Sequence, residues 1–338
     1  MNLTKMIFYM TLIFGTLISI SSYSWMGMWL GLEINLLSII PLMSDSKNPM
    51  SSEAAMKYFI TQALASMILL FSLIMMSMNF FFTFNNFLLT SIFYSSLFIK
   101  MGAAPFHFWF PEIMEGLSWM NSFIMLTWQK IAPLILLTYP NFKSFNYMIL
   151  IIIFCSVISG IMGMNQTNIR KILAFSSINH LSWMISSMLF FETIWMFYFL
   201  TYMIITFNII MILKKLNVFH LNQLFSTLNN FPMIKFFFNL NFMSLGGLPP
   251  FLGFMPKWLT IQMMVKMNML FISLLIIVMT LITLFFYMRI VTLSMIILTN
   301  NKIPINNETY SKSFNNIYLI NFITLMGLLF ITILYNLN

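Results

Sequence analysis

The chain has 338 residues, of which 60% are hydrophobic and only 7% are charged, whereas about 25% of the residues of an ordinary soluble domain are charged. So much apolar surface cannot be buried in an aqueous core of this size, so the composition excludes a water-soluble globule and predicts an all-α polytopic membrane protein. The net charge of +9 comes from basic residues placed singly or in pairs at the ends of apolar runs. That placement is typical of membrane topology signals and argues against nucleic acid as a partner.

Apolar runs that reach the length of a membrane span, about 20 residues, predict about eleven transmembrane helices. We place them at residues 5–22, 25–43, 57–78, 87–104, 118–139, 146–164, 170–190, 193–213, 233–265, 269–296 and 317–335. The first is interpreted as a membrane helix and not a removable signal, because no small-residue cleavage site follows it. The longest loops are expected at residues 217–231 and 299–316.

Lysine and arginine are distributed unevenly between the two sides that these helices would face. Eleven lie on the side of the N-terminus and two on the opposite side. The first group is Lys5, Lys47, Lys57, Arg170, Lys171, Lys214, Lys215, Lys235, Arg289, Lys302 and Lys312, and the second is Lys143 and Lys266. We therefore expect the N-terminus on the cytoplasmic-type face, which is the matrix side in a mitochondrion, and the C-terminus on the intermembrane-space side.

A pattern of glycine and proline occurs twice with identical spacing. It reads GAAPFHFWFPE in residues 102–112, at the end of the fourth segment, and GLPPFLGFMPK in residues 247–257, within the ninth. Proline removes a backbone donor and blocks the preceding helical turn, so both segments are predicted to be broken helices. Their freed backbone groups must line a polar cavity or pack inside the protein. A chance recurrence in a chain rich in phenylalanine is the alternative.

The two breaks are five helices apart, and a unit with an odd number of spans repeats in the opposite orientation. We therefore predict two inverted five-helix repeats, residues 1–139 and 140–298, followed by a loop and a final transmembrane helix in residues 299–338. Secondary transporters have this arrangement, and their binding sites lie at the interface of the repeats.

Four ionisable residues lie well inside apolar runs, namely Glu33, Lys100, Lys130 and Lys257. Each costs about 2.5 to 3.5 kcal/mol near the bilayer centre on insertion scales, so the default interpretation is a functional site, here a proton relay. For Glu33 the alternative is a structural salt bridge or a hydrogen bond with Asn35. For the lysines the alternative is snorkelling, in which the ammonium group reaches the membrane interface.

Glu33 and Lys100 are expected to approach each other closely or through one water, because neither charge is stable alone in an apolar environment. Gly27 and Gly31 form a Gly-x-x-x-Gly stripe on the helix of Glu33. We expect this stripe to permit the close approach of the two helices.

The remaining chemistry-bearing residues give weaker signals. His180 ends a polar string, SSINH in residues 176–180, which leaves a proton-carrying role and simple packing equally open. His107 is interpreted as mainly structural, His220 as a loop residue and the single cysteine, Cys155, as packing. The chain has no metal-ligand spacing and no Gly-rich nucleotide motif, so we expect no cofactor or metal in this chain.

Five motifs together resemble those of the antiporter-like membrane subunits of respiratory complex I. They are the sequences at residues 31–35, 99–109, 127–130, 170–177 and 246–258. The resemblance implies a proton-pumping module in which Glu33 and Lys100 form the family's glutamate–lysine pair, Lys130 is the central relay and Lys257 is the outer channel lysine. It also implies that His180 occupies the position of a polar relay residue.

The same resemblance implies the setting in which the chain works. Its partners would be other membrane-arm subunits of complex I and the lipid bilayer of the mitochondrial inner membrane. NAD, FMN, iron–sulfur clusters and ubiquinone would bind to partner subunits, and the chain would contribute to NADH:ubiquinone reduction without redox chemistry of its own. The predicted helix count is smaller than that of bacterial members and resembles the shortened animal form. The alternatives are a free-standing cation/proton antiporter and a structural membrane scaffold.

Overall fold

The computed structural model describes residues 3–45, 48–78, 86–139, 144–229 and 231–296, together with residues 321, 322 and 327. The described part contains helices and an isolated bridge but no strand, so the predicted all-helical fold is confirmed. The helices are α1 (Leu3–Ser21), α2 (Trp25–Met43), α3 (Pro49–Met78), α4 (Asn86–Met101), α5 (Trp109–Gly116), α6 (Trp119–Leu126), α7 (Trp128–Thr138), α8 (Phe145–Gly163), α9 (Ile169–Met188), α10 (Glu192–Leu216), α11 (Leu221–Leu228), α12 (Pro232–Gly246), α13 (Phe254–Lys266) and α14 (Leu270–Ile296).

Seven helical stretches of the described chain are long and apolar enough to cross a membrane. They are α1, α2, α3, the stretch Trp119–Thr138 that contains α6 and α7, α8, α10 and α14. The helix α4 is apolar but shorter, and the predicted ninth segment is divided into α12 and α13. The predicted final helix at residues 317–335 lies almost wholly outside the described residues.

The chain divides into two compact units, Met1–Cys155 and Ser156–Asn338. Unit 1 contains α1 to α7 and the first part of α8, and unit 2 contains the rest of α8 and α9 to α14. Each unit is described by itself below.

In unit 1, α1 and α2 approach closely along two glycines. A Cβ atom on Gly31 would lie 2.8 Å from the carbonyl oxygen of Gly15, and one on Gly15 would lie 3.1 Å from the carbonyl oxygen of Gly31. Gly27 lies against the turn that precedes α2. Gly31 therefore serves the contact with α1, and the expected approach of Glu33 to Lys100 stays a prediction.

In unit 2, α9 is the most deeply enclosed helix, because 18 of its 20 residues are buried. Its serines, Asn179 and His180 are therefore inside the protein. The loops at one end of α9 are joined by backbone hydrogen bonds, from Ile169 N to the Phe219 carbonyl at 3.0 Å and from Leu221 N to the Thr167 carbonyl at 3.2 Å. This arrangement fixes the start of α9 beside the loop that follows α10.

The predicted loop at residues 217–231 contains α11 (Leu221–Leu228), so the interpretation as a pure loop is wrong. The helix forms because its apolar residues recur at helical spacing and bury one face against the unit. These residues are Leu221, Leu224, Phe225 and Leu228. His220 is the N-cap of this helix and forms a capping box with Gln223, which gives His220 a structural position.

Candidate functional site

Both predicted breaks begin with the same helix termination. Gly102 ends α4 with φ +70° and Gly247 ends α12 with φ +77°, in the left-handed region where a glycine is favoured. In each break, the residue after the glycine donates its N–H to the carbonyl five residues before it, at 3.0 Å after Gly102 and 3.3 Å after Gly247. This bond pattern is that of a glycine-terminated helix end. The two similar sequences therefore adopt similar local structures, each within its own unit.

Cys155 supports the backbone of the first break. Its Sγ accepts a hydrogen bond from Ala104 N at 3.2 Å and donates to the Ala104 carbonyl at 3.7 Å. Proline-containing breaks leave backbone groups without helical partners. Here the thiol forms hydrogen bonds with both the N–H and the carbonyl of Ala104. The sequence alone indicates only a packing role for Cys155, because a contact between residues 51 positions apart leaves no local signal.

Lys100 lies in the last turn of α4, directly before the break, and is 7% exposed. Gln62 of α3 donates to the backbone carbonyl of Lys100 at 3.5 Å. The side chain therefore ends inside unit 1 and does not reach the surface of the protein, which argues against snorkelling.

Glu33 is on α2, and its Oε1 is buried with no hydrogen-bond donor among the described residues. The ion pairs within 4.0 Å in the described chain join Lys57 with Glu53 and with Glu112. Glu33 and Lys100 are thus not in direct contact, although the carboxylate is near enough to interact electrostatically with Lys100 and with Tyr58.

Lys130 is the most deeply buried of the lysines that the structure describes in unit 1, with 1% exposure. It lies in the first turn of α7, and its Nζ is 5.2 Å from the centroid of the Phe110 ring, a cation–π distance. The predicted fifth helix is interrupted just before it, because Thr127 has φ −120° and ψ −71° and separates α6 from α7. This third interruption was not predicted.

Lys257 occupies the second break. Its Nζ donates to the carbonyl oxygens of Leu245 at 3.1 Å and Gly246 at 2.8 Å, at the C-terminal end of α12. Carbonyl groups at a helix end lack helical partners and carry partial negative charge, so a cation is stabilised there. The break leaves room for the lysine stem because residue 247 is glycine, where a Cβ atom would lie 2.7 Å from Lys257 Cδ.

His180 lies beside a small cavity in unit 2. Its Nδ1 is 2.8 Å from the hydroxyl of Tyr198, and its ring lies against that of Tyr202. The cavity is lined by His180, Tyr198, Thr201, Tyr202, Ile205, Ser244, Leu245, Gly253 and Pro256. Because Leu245 also accepts a hydrogen bond from Lys257, the cavity brings His180 close to the break. Tyr198 and Ser244 were missed by sequence reasoning.

The described residues contain no group of three or more His, Cys, Asp or Glu side chains that could hold a metal ion. The buried groups of the predicted site residues are the amines of Lys100, Lys130 and Lys257, the imidazole of His180 and the carboxylate of Glu33. Such groups can bind, hold and transfer protons.

Comparison with known proteins gives consistent matches along the chain. Residues 22–283 match the family described as NADH:quinone oxidoreductase/Mrp antiporter, transmembrane. A protein of Anopheles gambiae named NADH-ubiquinone oxidoreductase chain 2 is 48% identical over 342 residues, which cover 99% of this chain and 98% of that protein. The protein of the same name from Mus musculus is 39% identical over 320 residues, which cover 92% of each chain.

Two solved structures resemble the fold. A chain of respiratory complex I from Thermus thermophilus has a TM-score of 0.78 at 21% identity, covering 96% of this chain and 79% of that one. A chain of the Mrp complex from Dietzia has a TM-score of 0.76 at 15% identity, covering 97% of this chain and 75% of that one. At these identities the likeness shows a shared fold.

Proposed function

This chain belongs to the NADH:quinone oxidoreductase/Mrp antiporter family, and we propose that it translocates protons as a chain 2 subunit of complex I. The observation that carries the proposal is the burial of Lys100, Lys130 and Lys257, each 7% exposed or less, at or beside interrupted helices. A scaffold would have no need of buried amines that cost several kcal/mol each in a membrane. The chain is accordingly placed in the mitochondrial inner membrane with other membrane-arm subunits as partners.

In unit 1, we infer that protons are held on Lys100 Nζ and Lys130 Nζ, and that Glu33 controls their release. An opposite charge nearby favours the charged form of a buried ionisable group. Glu33 lies within electrostatic range of Lys100 without an ion-pair contact, so a change in the distance between the two groups would change their interaction. A weaker hold on Lys100 would then favour passage of the proton towards Lys130.

In unit 2, we infer that Lys257 and His180 hold the transferred proton. The carbonyls of Leu245 and Gly246 stabilise an ammonium group. The adjoining cavity is lined by the imidazole of His180 and by hydroxyl groups, together with apolar groups such as those of Ile205 and Leu245. Unit 2 would thus continue the transport function. NAD, FMN, iron–sulfur clusters and ubiquinone are assigned to partner subunits.

We expect Glu33→Gln to lower NADH-driven proton translocation on the order of tenfold, which is about 1.4 kcal/mol on a barrier. The amide keeps the shape of the side chain but removes its charge, so Lys100 loses the electrostatic control. Translocation is measured in vesicles that carry the complex, and blue-native electrophoresis checks that the complex assembles.

The control is Glu33→Asp, which keeps the charge and should retain part of the activity. Normal translocation by Glu33→Gln in an assembled complex would show that Glu33 is a packing residue. Migration of the native chain apart from any large assembly would instead favour a free-standing antiporter.

We also propose that the N-terminus and the loop before Arg170 lie on the matrix side and the C-terminus on the opposite side. In unit 2, the Arg170 guanidinium lies 4.5 Å from the Phe219 ring, and Arg289 donates to the Met164 carbonyl at 3.0 Å. Three basic sites of the predicted matrix side thus lie at one end of this unit, since Lys215 precedes Phe219 by four residues. Labelling of tags at both termini in sealed mitoplasts tests the orientation, and equal accessibility of the two termini would contradict it.

A further inference from the structure

A chain of buried hydrogen bonds crosses unit 1 next to the ionisable residues. Gln129 of α7 donates from Nε2 to Asn35 Oδ1 at 3.0 Å and accepts at Oε1 from the hydroxyl of Tyr58 at 3.3 Å. All three side chains are buried, with exposures of 8%, 3% and 3% for Gln129, Asn35 and Tyr58. One amide therefore joins three helices, α2, α3 and α7.

Two members of this chain are near neighbours in sequence of a charged residue, and the third shares a helix face with a residue that contacts Lys100. Asn35 follows Glu33 by two residues on α2, and Gln129 directly precedes Lys130 on α7. Tyr58 is four residues before Gln62, so the two share one face of α3. Gln62 in turn donates to the backbone carbonyl of Lys100 on α4.

Gln129 lies between two features that disturb the backbone hydrogen bonding of α7. Thr127, two residues earlier, interrupts the helix. Pro133, four residues later, lies inside α7 and cannot donate to the carbonyl of Gln129, which is the normal helical acceptor for that position. The first turn of α7, which carries Lys130, therefore lacks one of the backbone hydrogen bonds that normally stabilise a helix.

We propose that Gln129 is a positioning residue, which holds α2 and α3 against the first turn of α7 and so fixes Lys130 relative to Glu33. The inference rests on the proposed proton translocation. A carboxamide has no proton that titrates in the accessible range, so Gln129 does not carry the proton itself. Its two bonds fix the spacing of the groups that do. A buried amide that lost both partners would also leave donors and acceptors unsatisfied.

The test uses Gln129→Met in the assembled complex, since methionine has a similar length but cannot form either bond. We expect the rate of proton translocation per assembled complex to fall on the order of three- to tenfold, which lies within the range of couplings between residues in contact. We also expect the pH at which translocation is fastest to move, because the distances between charges change. Simple destabilisation would lower the amount of complex without moving this optimum.

Two further variants sharpen the test. Gln166→Met is the matched control, because Gln166 is a half-buried glutamine in unit 2 whose amide donates to the carbonyl of Met162 at 3.2 Å. It should leave rate and pH optimum unchanged. The double variant Gln129→Met/Asn35→Leu should translocate at the rate of Gln129→Met alone, because the bond between the two residues is already lost.

A native rate and a native pH optimum in Gln129→Met would overturn the inference, as would additive losses in the double variant. If Gln129→Met does not assemble, Tyr58→Phe removes one hydroxyl from the same chain and must show the shifted pH optimum. Lys130→Ala separates this inference from the function on which it rests. Loss of translocation there, with native behaviour in Gln129→Met, would remove the positioning role and leave the proposed function standing, whereas normal translocation in Lys130→Ala would overturn both.

Discussion

Lys130→Ala should lower NADH-driven proton translocation by about tenfold or more, equivalent to at least about 1.4 kcal/mol on the barrier, while the complex still assembles. Lys130 is 1% exposed, and its ammonium nitrogen lies 5.2 Å from the Phe110 ring centroid. In the proposed relay, removal of the amine takes away the group that holds the proton at the centre of unit 1. The rate is measured by acidification of vesicles that contain equal amounts of complex.

Lys5→Ala is the matched control in the same unit, because Lys5 is exposed on α1. Its variant should translocate protons at the native rate. A native rate in Lys130→Ala, in a complex shown to be assembled, would favour the scaffold interpretation, in which buried lysines only support the packing of subunits.

Lys257→Met should reduce proton translocation by a similar factor and also destabilise unit 2. Methionine has a similar length, but the carbonyls of Leu245 and Gly246 would lose the donor that now lies 3.1 Å and 2.8 Å away. A buried polar group without a partner costs about 1 to 3 kcal/mol. The translocation rate and the thermal midpoint of the complex are both measured.

The control for this change is Lys266→Met, at the exposed C-terminal end of the same helix, α13. It should alter neither quantity. A lower thermal midpoint in Lys257→Met with unchanged translocation per assembled complex would show that Lys257 only donates hydrogen bonds to the carbonyls at the end of α12. That result would contradict its proposed role in transport.

Local rules explain why the positions of the two breaks could be predicted from the sequence. A glycine can adopt positive φ and a proline blocks the preceding helical turn, and both effects act within a few residues. The sequences of residues 102–112 and 247–257 are therefore enough to predict that the helix is interrupted there. The same holds for the burial of Lys100, Lys130 and Lys257, since long apolar runs leave a lysine few routes to water.

Contacts between distant segments could not be predicted in the same way. Cys155 forms a hydrogen bond with Ala104, which is 51 residues away in the sequence, and Gln129 forms one with Asn35, which is 94 residues away. The interruption at Thr127 also has no sequence signal, because threonine is tolerated in helices. The α11 pattern of apolar residues was present but lay in a segment with many polar residues.

The expected approach of Glu33 to Lys100, directly or through one water, follows from the cost of isolated buried charge. The two side chains form no ion pair within 4.0 Å, and an approach through one water stays a prediction. Gly31 is used by the contact between α1 and α2.

The number of protons translocated per NADH oxidised tests the central claim most directly, when it is measured for the native complex and for Lys130→Ala at equal amounts of assembled complex. A rate alone would fall if electron transfer slowed, whereas the ratio isolates the contribution of this chain to transport. We predict a lower ratio in Lys130→Ala, because the protons carried through this subunit are lost while electrons still reach ubiquinone. An unchanged ratio would contradict the claim that this chain carries protons on its buried lysines.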